Sequence, residues 1–251
     1  MKPILEVKKI YKTYHTKKCE IEALKNINFK VFEGDFIGIV GPSGCGKSTL
    51  LSILGNLENT TKGKIEKESN IKIGYMLQDD CLFPWLTIYE NCLIGLKINK
   101  MYNKENINNV KELLNTYGLY EFMNNYPKDL SGGMRQRVAL IRTLAIKPDI
   151  LLLDEPFSAL DYCTRLSVSN DVLNILKKEK KTLIIVTHDI SEAISMCNKI
   201  IVLSKRPSTI KNIYDISYQI DKSDPIKSRS SKEFMEYYKK IWDDLNEEWR
   251  I

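Results

Sequence analysis

The sequence predicts an α/β fold built on a parallel sheet with both faces covered, and two observations carry that reading. First, three short runs are apolar throughout: "FIGIV" at Phe36–Val40, "ILLL" inside Asp149–Pro156, and "TLIIV" at the start of Thr182–Asp189. A strand buried on one face alternates, whereas a strand covered on both reads as a continuous apolar run. Second, segments with helical spacing fill the intervals between them, as crossover connections between parallel strands require. A chain of 251 residues is long enough to bury a substantial core.

In chain order, Phe36–Val40 is entered through "EGD" and followed by "GPSGCGKSTLLSIL", a glycine loop opening into a helix with Leu50, Leu51, Ile53 and Leu54 apolar. "NIKIGYML" (Asn70–Leu77) reads as another strand. Ile107, Val110, Leu114 and Tyr117 keep helical spacing. "DLSGGMRQRVAL", from Asp129, places two glycines after a serine and opens a helix whose N–H groups form a second natural anion site. Asp149–Pro156 is a strand that ends in two acids and a proline, and a helix is expected from about Leu166 to Leu176. Thr182–Asp189 is the last buried strand. Near the C-terminus, Phe234, Tyr238, Ile241, Trp242, Leu245 and Trp249 fall on one helical face, expected to dock on the domain.

Composition excludes several classes. The net charge of +6 comes from lysines scattered among acids. No dense basic block tracks a nucleic-acid backbone, so no nucleic-acid partner is expected. A solvated lysine-rich surface, with at most a mild attraction to anionic headgroups, fits that pattern. The six cysteines (Cys19, Cys45, Cys81, Cys92, Cys163 and Cys197) form no C-x-x-C pair, and two histidines are too few for an ordinary Cys/His zinc site. Free thiols in a reducing cytoplasm are expected. "MKPILEVKKIYKTY" lacks the apolar stretch of a signal peptide, and no apolar run reaches the ~18 residues of a membrane span. Work at a membrane then needs another chain as anchor.

"GPSGCGKS" (Gly41–Ser48) fits G-x-x-x-x-G-K-[ST]. Glycines let backbone N–H groups crowd a phosphate, and the helix start aims its positive end at the anion. Lys47 supplies a mobile charge for the β- and γ-phosphates, and the Ser48 hydroxyl suits Mg²⁺. Cys45 either fills a small slot or is a reactive thiol whose pKa the electropositive loop lowers. Asp154 and Glu155 close a buried strand at its C-terminal end, where open α/β sheets bind ligands. Asp154 can enter a Mg²⁺ shell, leaving Glu155 to polarise a water for attack on a γ-phosphate. Gln78 and His188 each follow a strand, within reach of metal and water in the first case and of a γ-phosphate in the second.

Taken together, these residues resemble the ATP-binding cassette (ABC) ATPase family, from about Leu5 to Pro207. The order is Gly41–Thr49, Gln78, "LSGGMRQ" at Leu130–Gln136, Leu151–Glu155, "SALD" at Ser158–Asp161, and His188. The resemblance implies a P-loop NTPase (RecA-like) core with a parallel sheet, an N-terminal antiparallel β subdomain and an inserted α-helical signature subdomain. As one domain over 1–251, the core would occupy about 1–83 and 146–215, the helical part about 84–145, and a C-terminal helical tail about 216–251. ATP and Mg²⁺ are the implied ligands. Gly41, Pro42, Ser43, Gly44, Cys45, Gly46, Lys47, Ser48 and Thr49 would cradle the phosphates. Tyr14 would stack on adenine, with Tyr11 close enough to compete for that role. Ser48, Gln78 and Asp154 would serve the metal; Glu155, His188, Lys47 and Gln78 would be catalytic.

The family also implies a head-to-tail pair of copies. Ser131, Gly132, Gly133 and Gln136 of one chain would cap nucleotide held by the other, with Asp161 reporting across the interface. Two functions then compete: the energy-coupling subunit of a membrane transporter, or a soluble ABC ATPase such as one of iron–sulfur cluster assembly. "DDCLFPWLTIYENCLIGL" clusters Leu82, Phe83, Trp85 and Leu86 around Pro84, and apolar side chains in a loop need cover. "LFPWLT" resembles importers, where this region receives the permease. With "VLSKRP" it resembles the nitrate/sulfonate/taurine branch, which implies a peripheral bacterial subunit on the cytoplasmic membrane face, served indirectly by a substrate-binding protein. Ile141 and Thr143 stand where smaller residues are commoner, a departure that bears on packing.

Overall fold

Phe36–Val40, Ile150–Asp154 and Thr182–Val186 are strands in which every residue is buried, as their continuous apolar runs predict. The computed structural model describes residues 2–15, 17, 19–178, 181–216 and 228–246. They form two units: Met1–Ile71 with Leu173–Ile251, and Lys72–Val172.

In the first unit, β1 (Leu5–His15) pairs antiparallel with β2 (Glu20–Val31) on one side and β4 (Lys62–Lys67) on the other. Leu5 and Val7 are buried in alternation with their neighbours, and a bulge after Val7 shifts the phase so that Ile10 and Lys12 are buried beyond it. β3 (Phe36–Val40) lies between β7 (Thr182–Val186) and β8 (Lys199–Leu203), parallel to both. β9 (Ile210–Asp215) adds to β8 antiparallel, so this sheet is mixed rather than purely parallel. The chain returns from β8 to β9 through a short connection, which reverses direction as a crossover helix would not. α1 (Lys47–Leu54) packs on β7, and α6 (Ile190–Met196) packs on β3. Gly38 permits that approach: a Cβ there would meet Ala193 Cβ and Cys197 Sγ at 3.2 Å.

The last helix, α7 (Lys232–Asn246), buries Phe234, Tyr237 and Ile241 against α6 and β8. Burying each side chain stabilises by roughly 1.5–3 kcal/mol. This face is turned from the expected one. Tyr237 faces inward because its hydroxyl donates to the Asp215 carbonyl (3.2 Å) and its ring meets Tyr214 edge-on. Tyr238 instead stacks on Trp242 at 6.2 Å, and Trp242 is 49% exposed. Trp249 lies outside the described residues.

In the second unit, β5 (Ile73–Met76) pairs parallel with β6 (Ile150–Asp154). α4 (Gly132–Ala145) packs against α2 (Ile88–Ile98), α3 (Lys104–Thr116) and β5, and α5 (Tyr162–Lys178) follows β6. Thr87 starts α2 with a reciprocal capping box to Glu90, and Asn103 caps α3. Thr143 has a structural reason: its hydroxyl donates to the Ala139 carbonyl (2.9 Å), and its methyl lies where a Cβ on Gly74 would come within 3.0 Å. The larger residue on α4 is matched by the absent side chain on β5.

Candidate functional site

The first unit carries the phosphate loop. Gly41–Gly46 leaves the C-terminal end of β3 and turns into α1, whose N-cap is Gly46 at φ +113 with no side chain capping the first turn. A Cβ at Gly46 would meet Leu24 Cδ2 at 3.0 Å and the Ala23 carbonyl oxygen at 3.3 Å, so glycine is required on both counts. Lys47 is buried and donates to the carbonyls of Gly41 (2.8 Å) and Pro42 (2.9 Å), which holds its ammonium over the loop. Ser43, Gly44 and Ser48 are exposed along this rim, with Thr49 half-buried behind them.

Cys45 is not the reactive thiol its loop suggests. It is 1% exposed, and a Cβ on Gly41 would lie 2.9 Å from its Sγ. Burial raises its pKa above the ordinary thiol value, outweighing the lowering by the Lys47 charge. It fills the small slot beneath the loop.

β7 runs beside β3 in parallel register, Ile39 opposite Val186, so His188 emerges at the same strand ends as the phosphate loop. His188 is exposed, between Thr187, whose hydroxyl accepts from the Asp189 N–H (3.0 Å), and Asp189, which caps α6. Tyr14 reaches the loop directly, its hydroxyl 3.3 Å from Thr49 Oγ1, with Lys12 Nζ 4.8 Å from its ring centroid. Tyr11 makes its described bond through the backbone, its carbonyl accepting from Thr61.

In the second unit, β5 and β6 are parallel, Met76 opposite Leu153, so Gln78 and the Asp154–Glu155 pair leave adjacent strand ends. Gln78 is exposed and Asp154 buried. Glu155 takes φ +46, the left-handed region, directly before Pro156. Such strain costs of order 1–3 kcal/mol and gathers at active sites. The serine-glycine stretch lies nearby in the same unit. Exposed Ser131 caps α4 by accepting from the Met134 N–H (3.3 Å). Gln136 is buried, donating to Ser158 Oγ and accepting from the Ala159 N–H, both at 3.2 Å. A Cβ at Gly133 would meet Leu160 Cδ2 at 2.7 Å, so that side chain would have to shift, and Gly132 stands beside it in the first turn. Asp161 accepts from the Thr164 N–H (3.0 Å), and hydrogen bonds from the Thr164 side chain and then its backbone lower the Asp161 pKa. The signature stretch and the Ser158–Asp161 segment thus form one hydrogen-bonded block.

The family described as ABC transporter matches residues 24–158, more than half of the chain. This chain belongs to it. It is 46% identical over 250 residues to the uncharacterized ABC transporter ATP-binding protein YtlC of Bacillus subtilis, covering 96% of this chain and 95% of that one. It is 40% identical over 244 residues to the aliphatic sulfonates import ATP-binding protein SsuB of Bacillus cereus, covering 94% of each. Among solved structures, the dimeric post-hydrolysis state of the ATP-binding cassette MJ0796, bound to ADP and Pi, superposes with a TM-score of 0.75 at 34% identity, over 84% of this chain and 98% of that one. The chain is therefore an ABC ATPase with the α/β fold of such cassettes. Among its described residues no helix is long and apolar enough to cross a membrane.

This ABC chain has one more feature in its second unit. Trp85 is 70% exposed, tilted against Phe83 at 5.4 Å, on a loop held at both ends. Asn91 on α2, fully buried, accepts from the Phe83 N–H (2.8 Å) and donates to the carbonyls of Phe83 (3.2 Å), Leu86 (3.1 Å) and Thr87 (3.0 Å). Arg142 on α4 donates to the carbonyls of Asp80 and Cys81, each at 2.7 Å. Neither was singled out from the sequence. Their one visible signal is a polar residue beside apolar ones in a helix, Asn91 before Cys92 and Leu93 and Arg142 after Leu140 and Ile141.

Proposed function

We propose that this chain is the ATP-hydrolysing, energy-coupling subunit of an ABC importer for small solutes of the nitrate, sulfonate or taurine kind. The observation that carries this is Trp85. A large aromatic side chain held in solvent by a fully bonded loop suits a docking surface, and burying it in a partner gains the apolar area it now exposes. The partner is the membrane-spanning permease, contacted through Leu82–Leu86. The subunit then sits on the cytoplasmic face of the bacterial membrane and meets a substrate-binding protein only through the permease. The sulfonate-import relative supports the solute class.

In this reading Gly41–Thr49 cradles ATP, with Lys47 on the β- and γ-phosphates. The Tyr14–Thr49 contact favours Tyr14 over Tyr11 as the adenine platform. Ser48 in the first unit and Gln78 and Asp154 in the second carry hydroxyl, amide and carboxylate oxygens, the hard donors that Mg²⁺ takes alongside phosphate and water, and by the family resemblance these residues would hold the ion. A held Mg²⁺ would supply positive charge to the phosphate oxygens. Glu155 orients a water and accepts its proton, and His188 donates toward the γ-phosphate. Ser131, Gly132 and Gly133 present the N-terminus of α4 to a nucleotide held by a second, head-to-tail copy, with Gln136 and Asp161 fixing the adjoining segment. Hydrolysis therefore waits for the pair to close, which excludes water. The nucleotide core at about 1–83 and 146–215, the helical part between them and the tail from about 216 divide these labours.

The test is Trp85→Ala in the assembled transporter. Solute uptake should be lost while basal ATP hydrolysis by the isolated subunit persists. Full uptake by the variant would refute the docking role.

A further inference from the structure

We propose that Asp80 and Arg135 form a latch through which nucleotide capture at Ser131 moves Trp85; this rests on the composite-site reading above. Arg135 lies in the first turn of α4. Its Nε donates to Asp80 Oδ2 at 2.9 Å, and its Nη1 donates to the Leu130 carbonyl at 2.8 Å. One guanidinium therefore holds two things at once: the residue immediately before Ser131, and the loop that carries Trp85. The fork geometry of arginine suits this double grip, which a lysine could not reproduce.

Asp80 is equally well placed. Its other oxygen accepts from the Leu82 N–H at 3.2 Å, so the carboxylate joins Arg135 to the backbone two residues on. From there the loop is continuous through Phe83 and Trp85 to Asn91. Arg142 holds the carbonyls of Asp80 and Cys81 from two turns further along α4. Cys81 sits at φ +45, a conformation a non-glycine side chain adopts only when its surroundings impose it.

The exposure of the pair argues against a mainly stabilising role. The Arg135 and Asp80 side chains are 36% and 28% exposed, and ion pairs in such positions add little to stability. Their placement matters more. The N-terminus of α4 and the Trp85 loop are bound into one body, so a displacement of either end reaches the other without a change in the helix between. Arg135 and Asp80 are positioning residues, touching no reacting atom.

The experiment uses the full chain carrying Trp242→Phe, Trp249→Phe and Glu155→Gln, so that Trp85 alone reports. MgATP should produce a dimer by light scattering together with a change in Trp85 emission. Adding Asp80→Asn, which is isosteric and spares the Arg142 contacts, should leave the dimer fraction unchanged but remove most of the emission change. Adding Asp80→Glu instead, which keeps the charge, should retain it. A response in Asp80→Asn equal to that of the parent overturns the latch, as does a parent that dimerises with no Trp85 response. A parent that fails to dimerise overturns the composite site and the latch with it, whereas a failure confined to the Asp80 variants overturns the latch alone.

Discussion

Asn91 and Phe83 bond to each other in both directions: the amide oxygen accepts the Phe83 N–H at 2.8 Å, and the amide nitrogen donates to the Phe83 carbonyl at 3.2 Å. A side chain that imitates a strand partner in this way satisfies loop backbone that would otherwise be buried unpaired. It also explains how Trp85 stays exposed without the loop collapsing over it.

Asn91→Ala should therefore be expensive. It strands the Phe83 N–H and the Leu86 carbonyl, at about 1–3 kcal/mol for each group that water cannot reach, while the Phe83 and Thr87 carbonyls keep the backbone N–H groups of residues 86 and 91. We expect a net loss near the top of that range, read as a lowered urea midpoint. Asn91→Asp should cost nearly as much, since a carboxylate cannot donate to carbonyls.

Gly46→Ala should reduce both stability and ATP affinity. At φ +113, with Leu24 Cδ2 3.0 Å from the added Cβ, the variant carries backbone strain and a steric clash together. Gly44→Ala, at φ +72 with nothing near its Cβ, carries the strain alone and should be milder in thermal melts, by about 1 kcal/mol or more. Equal melting temperatures for the two would contradict this account of the loop.

The buried thiols set an alkaline limit on stability. Cys92 is fully buried, and burial pushes its pKa from 9.0 up to about 12. The unfolded chain releases this proton first, so the native state holds more protons between those values and stability falls as pH rises through that window. Urea midpoints should drop between about pH 9 and 12, and Cys92→Ala should flatten that slope. Cys45 should behave likewise. Its alkylation at neutral pH should lag well behind that of the exposed Cys19, Cys81 and Cys163, as followed by peptide mass spectrometry. Rapid modification of Cys45 would sink this view of it.

What the sequence revealed and what it hid follow from the reach of each signal. The pentads at Phe36–Val40, Ile150–Asp154 and Thr182–Val186 were legible because burial on both faces leaves an unbroken apolar run. The phosphate loop was legible because its glycines are set by close contacts at Gly41 and Gly46 and by positive φ at Gly44 and Gly46. The inward face of α7 was misread because Tyr237 and Tyr238 are equally apolar to a periodicity argument. The choice fell to one hydroxyl finding the Asp215 carbonyl. The antiparallel addition of β9 was not foreseen, since pairing direction at a sheet edge leaves little trace in composition. The grips of Asn91 and Arg142 on loop carbonyls stayed hidden for a related reason. They join side chains to backbone, which carries no residue-type signal.

The central claim is that Ser131 serves a nucleotide bound by another copy, and the mass of Glu155→Gln tests it most directly. With saturating MgATP, light scattering should give a dimer for Glu155→Gln and a monomer for Glu155→Gln with Ser131→Arg, while both still bind ATP. A monomer in the single variant, or a dimer that tolerates arginine at position 131, would contradict the account.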